Sequence, residues 1–296
     1  IPKRDWSSDV CSSDLVQTYG RLIKFSHTIF ALPFALAAVL LANRQHPVSW
    51  LTLGCIVLAM AAARSAAMGF NRFADYEYDR RNPRTVDRPL TAGKIDKRSV
   101  LIFIAVSSGL FIVFAALLGP LCLKLSLPLL FVLFFYSYTK RFTSFSHLFL
   151  GFAIGLSPLA TWIAITGTWS FGIVFLSLAL MTYIAGFDIL YACQDVDFDR
   201  EQNLFSIPSR WGVHRAFQVA AGLHLATFFF LLAVYFAFDL SSIYLAFLAV
   251  ISLLLVLEHR LVRPDRLEKI DLAFFHVNSA ISVLLFLAVL ADTWYS

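Results

Sequence analysis

The stretch GFNRFADYEYDRRNPRTVDRPL, residues 69–90, closes an apolar run of membrane length with three spaced polar side chains, Asn71, Asp75 and Asp79. Carboxylates are costly beside hydrocarbon, so acids kept at the edge of such a run point to function. At 100° per residue these three fall within about 80° of one another, on one helix face. A second stretch, DILYACQDVDFDREQNLFSIPSRWG at residues 188–212, repeats the arrangement with Asp188, Asp195 and Asp199. These also share a face, and Tyr191 lies within roughly 60° of it. The repetition of an apolar span, an acidic motif and a basic loop suggests two related halves around one central site.

The surrounding chain is oily. Of 296 residues, 59% are hydrophobic and only 15% are charged, with a mean hydropathy of +0.75. Soluble domains carry about 25% charge, so this composition indicates an integral membrane protein. Runs able to cross about 30 Å of hydrocarbon fall at residues 25–42, 48–70, 99–118, 121–138, 147–166, 170–191, 216–238, 240–257 and 271–291. The expectation is an all-α integral membrane protein: nine transmembrane helices bundled around a central cavity. Helices fit because lipid offers no partner for an open backbone. The least distinct boundaries lie at Gly119–Pro120 and near Asp239.

Charge orients the bundle. Seventeen Lys and Arg residues fall in the connections on the side of the two acidic motifs, against Arg44 and Lys124 on the other. The positive-inside rule therefore predicts cytoplasmic motif loops, with the protein in the plasma (inner) membrane. The net charge of +5 encodes this orientation and gives no reason to expect nucleic acid. The four cysteines show no disulfide or zinc spacing, and His27, His147, His224 and His276 match no ligand spacing. Trp50, Trp162, Trp169 and Trp294 fall near span ends, as interfacial anchors do. Asp87, Asp96, Asp197 and Glu201 read as solvated loop charge.

Oxygen side chains four residues apart on a helix suit Mg²⁺, which takes few protein carboxylates and keeps sites for water and phosphate. Arg72, Arg80, Arg84, Lys140 and Arg210 are the basic residues expected to hold the remaining phosphate charge. Two such faces can grip one strongly anionic ligand, and a metal-bound diphosphate is a good leaving group.

At this point the residues resemble a known family, the UbiA-type intramembrane aromatic prenyltransferases. The resemblance rests on NxxxDxxxD at Asn71–Asp79, RTxxRPL at Arg84–Leu90, YxxxK at Tyr136–Lys140 and DxxYxxxDxxxD at Asp188–Asp199, and it spans residues 16–292. RLIKFSHTIFALPFAL at 21–36 and QDVDFD at 194–199 look most like the 4-hydroxybenzoate polyprenyltransferase branch. The resemblance implies Mg²⁺-dependent transfer of a polyprenyl group from its diphosphate to a small aromatic acid, 4-hydroxybenzoate, in ubiquinone-type quinone synthesis. It implies Asn71, Asp75 and Asp79 around one Mg²⁺ and the diphosphate, and Asp195 and Asp199 around a second. Lys140, Arg72 and Arg84 would neutralise departing pyrophosphate, with Tyr136 positioning Lys140. Asp188, about two turns deeper than Asp195, would orient or deprotonate the phenol, with Tyr191 on the same stripe. Arg64, two turns deeper than Asn71, would hold the aromatic carboxylate.

Other readings stand beside this one. A dihydroxynaphthoate acceptor would place the enzyme in menaquinone synthesis; haem, chlorophyllide or a glycerol-phosphate lipid would serve other branches. A cation-coupled transporter would favour isolated acids near the bilayer midplane, whereas these acids cluster. No obligate protein partner is evident. Residues Arg4–Leu15, RDWSSDVCSSDL, look like a translated sequencing adapter, so 1–15 is read as non-native and 16–296 as one transmembrane domain.

Overall fold

Four of the long helices open on a side-chain cap, at Ser49, Asp96, Ser170 and Ser241. The computed structural model describes residues 12–264, 267, 270 and 273–295. Residues 1–11, most of the segment read as adapter-like, lie outside the described residues. The helices are α1 (Ser12–Leu22), α2 (Leu32–Asn43), α3 (Trp50–Ala74), α4 (Tyr76–Asp79), α5 (Lys97–Leu118), α6 (Pro120–Thr139) and α7 (Ser146–Thr166). They continue as α8 (Phe171–Ala192), α9 (Val196–Glu201), α10 (Ile207–Trp211), α11 (Val213–Ala237), α12 (Ser242–Leu261) and α13 (Asn278–Tyr295). Ser49 caps α3 by accepting from Thr52 N at 3.1 Å, and Asp96 caps α5 by accepting from Ser99 N at 3.1 Å. Asp96 is thus a cap as well as solvated loop charge.

Both indistinct boundaries prove to be real breaks. Gly119, at φ 134°, reverses the chain between α5 and α6 with Pro120 opening the next helix. Asp239, at φ 49°, separates α11 from α12. The expected count of nine spans is not reached among the described residues. Eight of the described helices are long and apolar enough to cross a membrane; the first apolar segment is shorter, running Thr28–Asn43. There a 3₁₀ turn at Phe25–Phe30 precedes a twelve-residue α2 that Pro33 opens. Trp162 also departs from expectation: it is buried against Phe238, while Trp50, Trp169 and Trp294 are exposed.

The most enclosed helix is α8, which packs between α7 and α11 with Ile173, Leu176, Leu180 and Tyr183 wholly shielded. Its contact with α7 is backbone-close because Gly151 and Gly155 face Met181, Ala185 and Ser177. On the other flank, α3 packs along α5 and α6. The ends of α3 and α8 are thereby brought to one end of the bundle, together with the loop at 80–96.

Candidate active site

The two acidic motifs share one local structure. Helix α3 stops at Ala74 and helix α8 at Ala192; after a break, the short helices α4 and α9 follow. Asp75 (φ −92°, ψ 7°) and Asp195 (φ −105°, ψ 11°) occupy the two breaks in nearly the same conformation. That is the sparsely used bridge region, where active-site residues are often found. The first motif is therefore not one unbroken helix. Its register nevertheless survives, because Asp75 N bonds Asn71 O at 2.9 Å and Asp79 N bonds Asp75 O at 2.8 Å. Asp79 and Asp199, four residues beyond each break, are both buried.

These residues line one polar cavity of about 210 Å³. Its wall holds Asn71, Arg72, Asp75, Asp79, Arg84, Tyr136, Lys140, Asp188, Tyr191, Asp195 and Asp199, all singled out from the sequence. Arg64 is elsewhere. It lines an adjoining apolar cavity of about 380 Å³ built from α3, α5, α6 and α7. The two cavities share Tyr136 and Leu150 as lining residues. Arg64 donates from Nη2 to Lys24 O at 3.2 Å, while its Nε is buried without a partner.

Four of the acids, Asp75, Asp79, Asp195 and Asp199, have a Lys or Arg neighbour. Arg88 bonds Asp79 at 2.5 Å, with Arg72 at 3.9 Å. Arg84 makes a two-pronged contact with Asp195, its Nε lying 2.9 Å from Oδ1, and Nη1 donates to Tyr191 Oη at 2.9 Å. Lys140 stands 3.7 Å from Asp199, which also accepts from Ser206 Oγ at 2.7 Å. Arg141 lies 3.8 Å from Asp75, which accepts from Asn71 Nδ2 at 2.8 Å. Burial, with Asp79 beside it, lifts the Asp75 carboxyl to about 6 against the pull of Lys140, Arg72 and Arg141. At Lys140 burial disfavours the charge, but Asp199, then Asp195, Asp188 and Asp75, outweigh it and hold the ammonium above its ordinary range.

Two expected arrangements are not found. The Tyr136 hydroxyl makes no hydrogen bond to Lys140 among the described residues; Asp199 is the group that fixes the lysine. Arg80 and Arg210 are exposed and absent from the cavity wall, Arg210 lying over the Phe205 ring at 4.0 Å. Nearness along the sequence does not say which way an arginine side chain turns.

The donor set is wholly oxygen, the class Mg²⁺ takes. Among the described residues no three His, Cys, Asp or Glu side chains gather around one point. Mg²⁺ needs only one or two protein carboxylates beside water and phosphate oxygens, so this set fits it.

Residues 31–280 match the UbiA prenyltransferase family. The chain belongs to that family. A 4-hydroxybenzoate octaprenyltransferase from Vibrio campbellii is 29% identical over 96% of this chain and the whole of the relative. The apo structure of a UbiA homolog from Aeropyrum pernix K1 is 30% identical, covers 90% of this chain and 98% of its own, and superposes with a TM-score of 0.81. A UbiA homolog from Archaeoglobus fulgidus bound to GPP and Mg²⁺ is 20% identical over 93% and 99%, with a TM-score of 0.68. This UbiA prenyltransferase is thus a multi-pass membrane enzyme.

Several residues of the UbiA site escaped the sequence reading. Arg88 and Arg141 pair with Asp79 and Asp75. Asn82 Nδ2 donates to Asp195 Oδ1 at 3.1 Å across 113 residues, and His147 Nδ1 lies 2.7 Å from Asp188 Oδ2. Arg88 and Asn82 flank a motif already singled out, so the loop's cation density offered a hint. Nothing local announces His147.

Proposed function

We propose that the protein transfers a polyprenyl group from its diphosphate to the carbon ortho to the hydroxyl of 4-hydroxybenzoate, releasing diphosphate, in ubiquinone-type quinone synthesis. The observation that carries this reading is the union of two unlike cavities at Tyr136 and Leu150. A diphosphate head suits the charged chamber and a polyprenyl tail the apolar one. The Vibrio campbellii relative, named for 4-hydroxybenzoate, supports the acceptor; the Archaeoglobus fulgidus homolog with GPP and Mg²⁺ supports the donor.

Asn71, Asp75 and Asp79 would hold one Mg²⁺, and Asp195 and Asp199 a second. Bound there, the cations would supply neutralising charge for a diphosphate. Arg72, Arg84, Arg88 and Lys140 meet the remaining negative charge as the allylic C–O bond breaks. The apolar chamber keeps water from the prenyl cation and delivers its reactive end to the junction at Tyr136. Asp188, with Tyr191 near it on the same helix, orients the acceptor hydroxyl and takes its proton, which raises electron density at the ortho carbon. Arg64, through its unpartnered Nε, receives the acceptor carboxylate. The basic connections support placing this end of the bundle on the cytoplasmic side of the plasma (inner) membrane, and residues 16–296 form the single catalytic domain.

The test is purified protein with Mg²⁺, 4-hydroxybenzoate and a polyprenyl diphosphate. Prenylated 4-hydroxybenzoate is expected, and Asp75→Ala or Asp195→Ala should abolish it. Product only from a dihydroxynaphthoate would refute the acceptor, and activity surviving either substitution would refute the mechanism.

A further inference from the structure

His147 is a buried titratable group that the diphosphate chemistry leaves unused. It stands in the first turn of α7, wholly buried, with Nδ1 2.7 Å from Asp188 Oδ2. A carboxylate oxygen accepts, so Nδ1 carries the proton and donates it. The other ring nitrogen, Nε2, is buried without a hydrogen-bond partner. An unpaired polar atom in the interior is costly, so a position needed only for packing gains nothing from an imidazole. The Asp188 side chain remains 25% exposed, and Oδ2 makes its hydrogen bond to His147 while Oδ1 makes none among the described residues. One turn along α7 from His147, Leu150 lines both cavities, so the pair stands beside their junction.

We propose that His147 is the positioning residue for the proton-accepting carboxylate. Its Nδ1–H pins Oδ2 of Asp188 and leaves Oδ1 to receive the hydroxyl proton of the aromatic acceptor. This rests on the role of Asp188 in the proposed function. As Oδ1 takes that proton, a ring electron pair forms the C–C bond ortho to the oxygen, and the allylic C–O pair departs with diphosphate. The resulting dienone regains aromaticity when the ring carbon gives its hydrogen as a proton to the released diphosphate and Asp188 returns the first proton to oxygen.

Three variants separate this role from packing. An asparagine at 147 can set an amide N–H near the Nδ1 position, a glutamine sets it near Nε2, and leucine offers no donor. Transfer to 4-hydroxybenzoate is measured for each, with kcat and both KM values, alongside thermal melting in detergent. His147→Leu and His147→Gln should lose about 100-fold in kcat, with KM for the diphosphate held within about twofold. His147→Asn should recover kcat to within about fivefold of wild type. Should His147→Leu fail to fold, the asparagine–glutamine contrast decides alone. Equal losses in His147→Asn and His147→Gln, or a loss confined to diphosphate KM, would overturn the role of His147 while leaving the proposed function standing. Wild-type protein inactive on 4-hydroxybenzoate would overturn both.

Discussion

Replacing Gly151 by alanine tests the close approach of α7 to α8 on which the site geometry depends. A Cβ built at this position would lie 2.3 Å from the Met181 carbonyl oxygen and 3.0 Å from Ala185 Cβ. Neither atom can rotate away, since one belongs to helical backbone and the other is itself a Cβ. The helices must part locally by roughly 1 Å to restore van der Waals contact. Overpacking of this kind costs about 1–3 kcal/mol, against roughly 1 kcal/mol that a helical Gly→Ala change usually returns. With rigid atoms on both sides the upper figure applies, leaving a net loss of about 2 kcal/mol. The same displacement would stretch the His147–Asp188 contact from 2.7 Å towards about 3.7 Å, past hydrogen-bonding range. A misplacement of this size can cost about 100-fold in rate. The assay is thermal melting of detergent-solubilised protein by helical circular dichroism, with prenyl transfer on the same samples. Gly54→Ala and Gly109→Ala are the controls, because a Cβ at either glycine meets nothing within 4 Å. Gly151→Ala melting and turning over like these controls would refute the close-packing argument.

Two further outcomes follow from the cavities. Arg64→Ala should raise KM for the aromatic acid by about tenfold or more while changing that for the diphosphate little; steady-state kinetics with each substrate varied would show the reverse if Arg64 serves phosphate. Ala63, on the wall of the apolar chamber, should control depth: Ala63→Phe is expected to shift preference to shorter prenyl diphosphates, read by competing chains of different length, and an unchanged preference would place the tail elsewhere.

The path from sequence to site was short where chemistry repeats locally. Spacings of four placed Asn71, Asp75 and Asp79 together, and likewise Asp195 and Asp199, because a helical backbone returns to the same face within one turn. That register held even though α3 breaks at Asp75. Arg64 and Asn71 lie seven residues apart on one continuous helix, α3, but the chamber Arg64 enters is not legible in the sequence, because that depends on which neighbours face α3. The first apolar run gives only a twelve-residue α2, because hydropathy does not register the 3₁₀ turn ahead of it or the Pro33 in its first turn.

The sequence by itself determined that this chain is helical, membrane-embedded and equipped with two acidic motifs at span ends, since apolar run length and helical spacing are local properties. Only the tertiary structure decided that the motifs face one cavity, that Arg84 and Asn82 reach across to Asp195, and that a histidine on α7 meets Asp188. Those pairings join residues 41 to 113 positions apart. The last of them exists because glycines on α7 let its backbone touch that of α8, a contact that no spacing along the chain encodes.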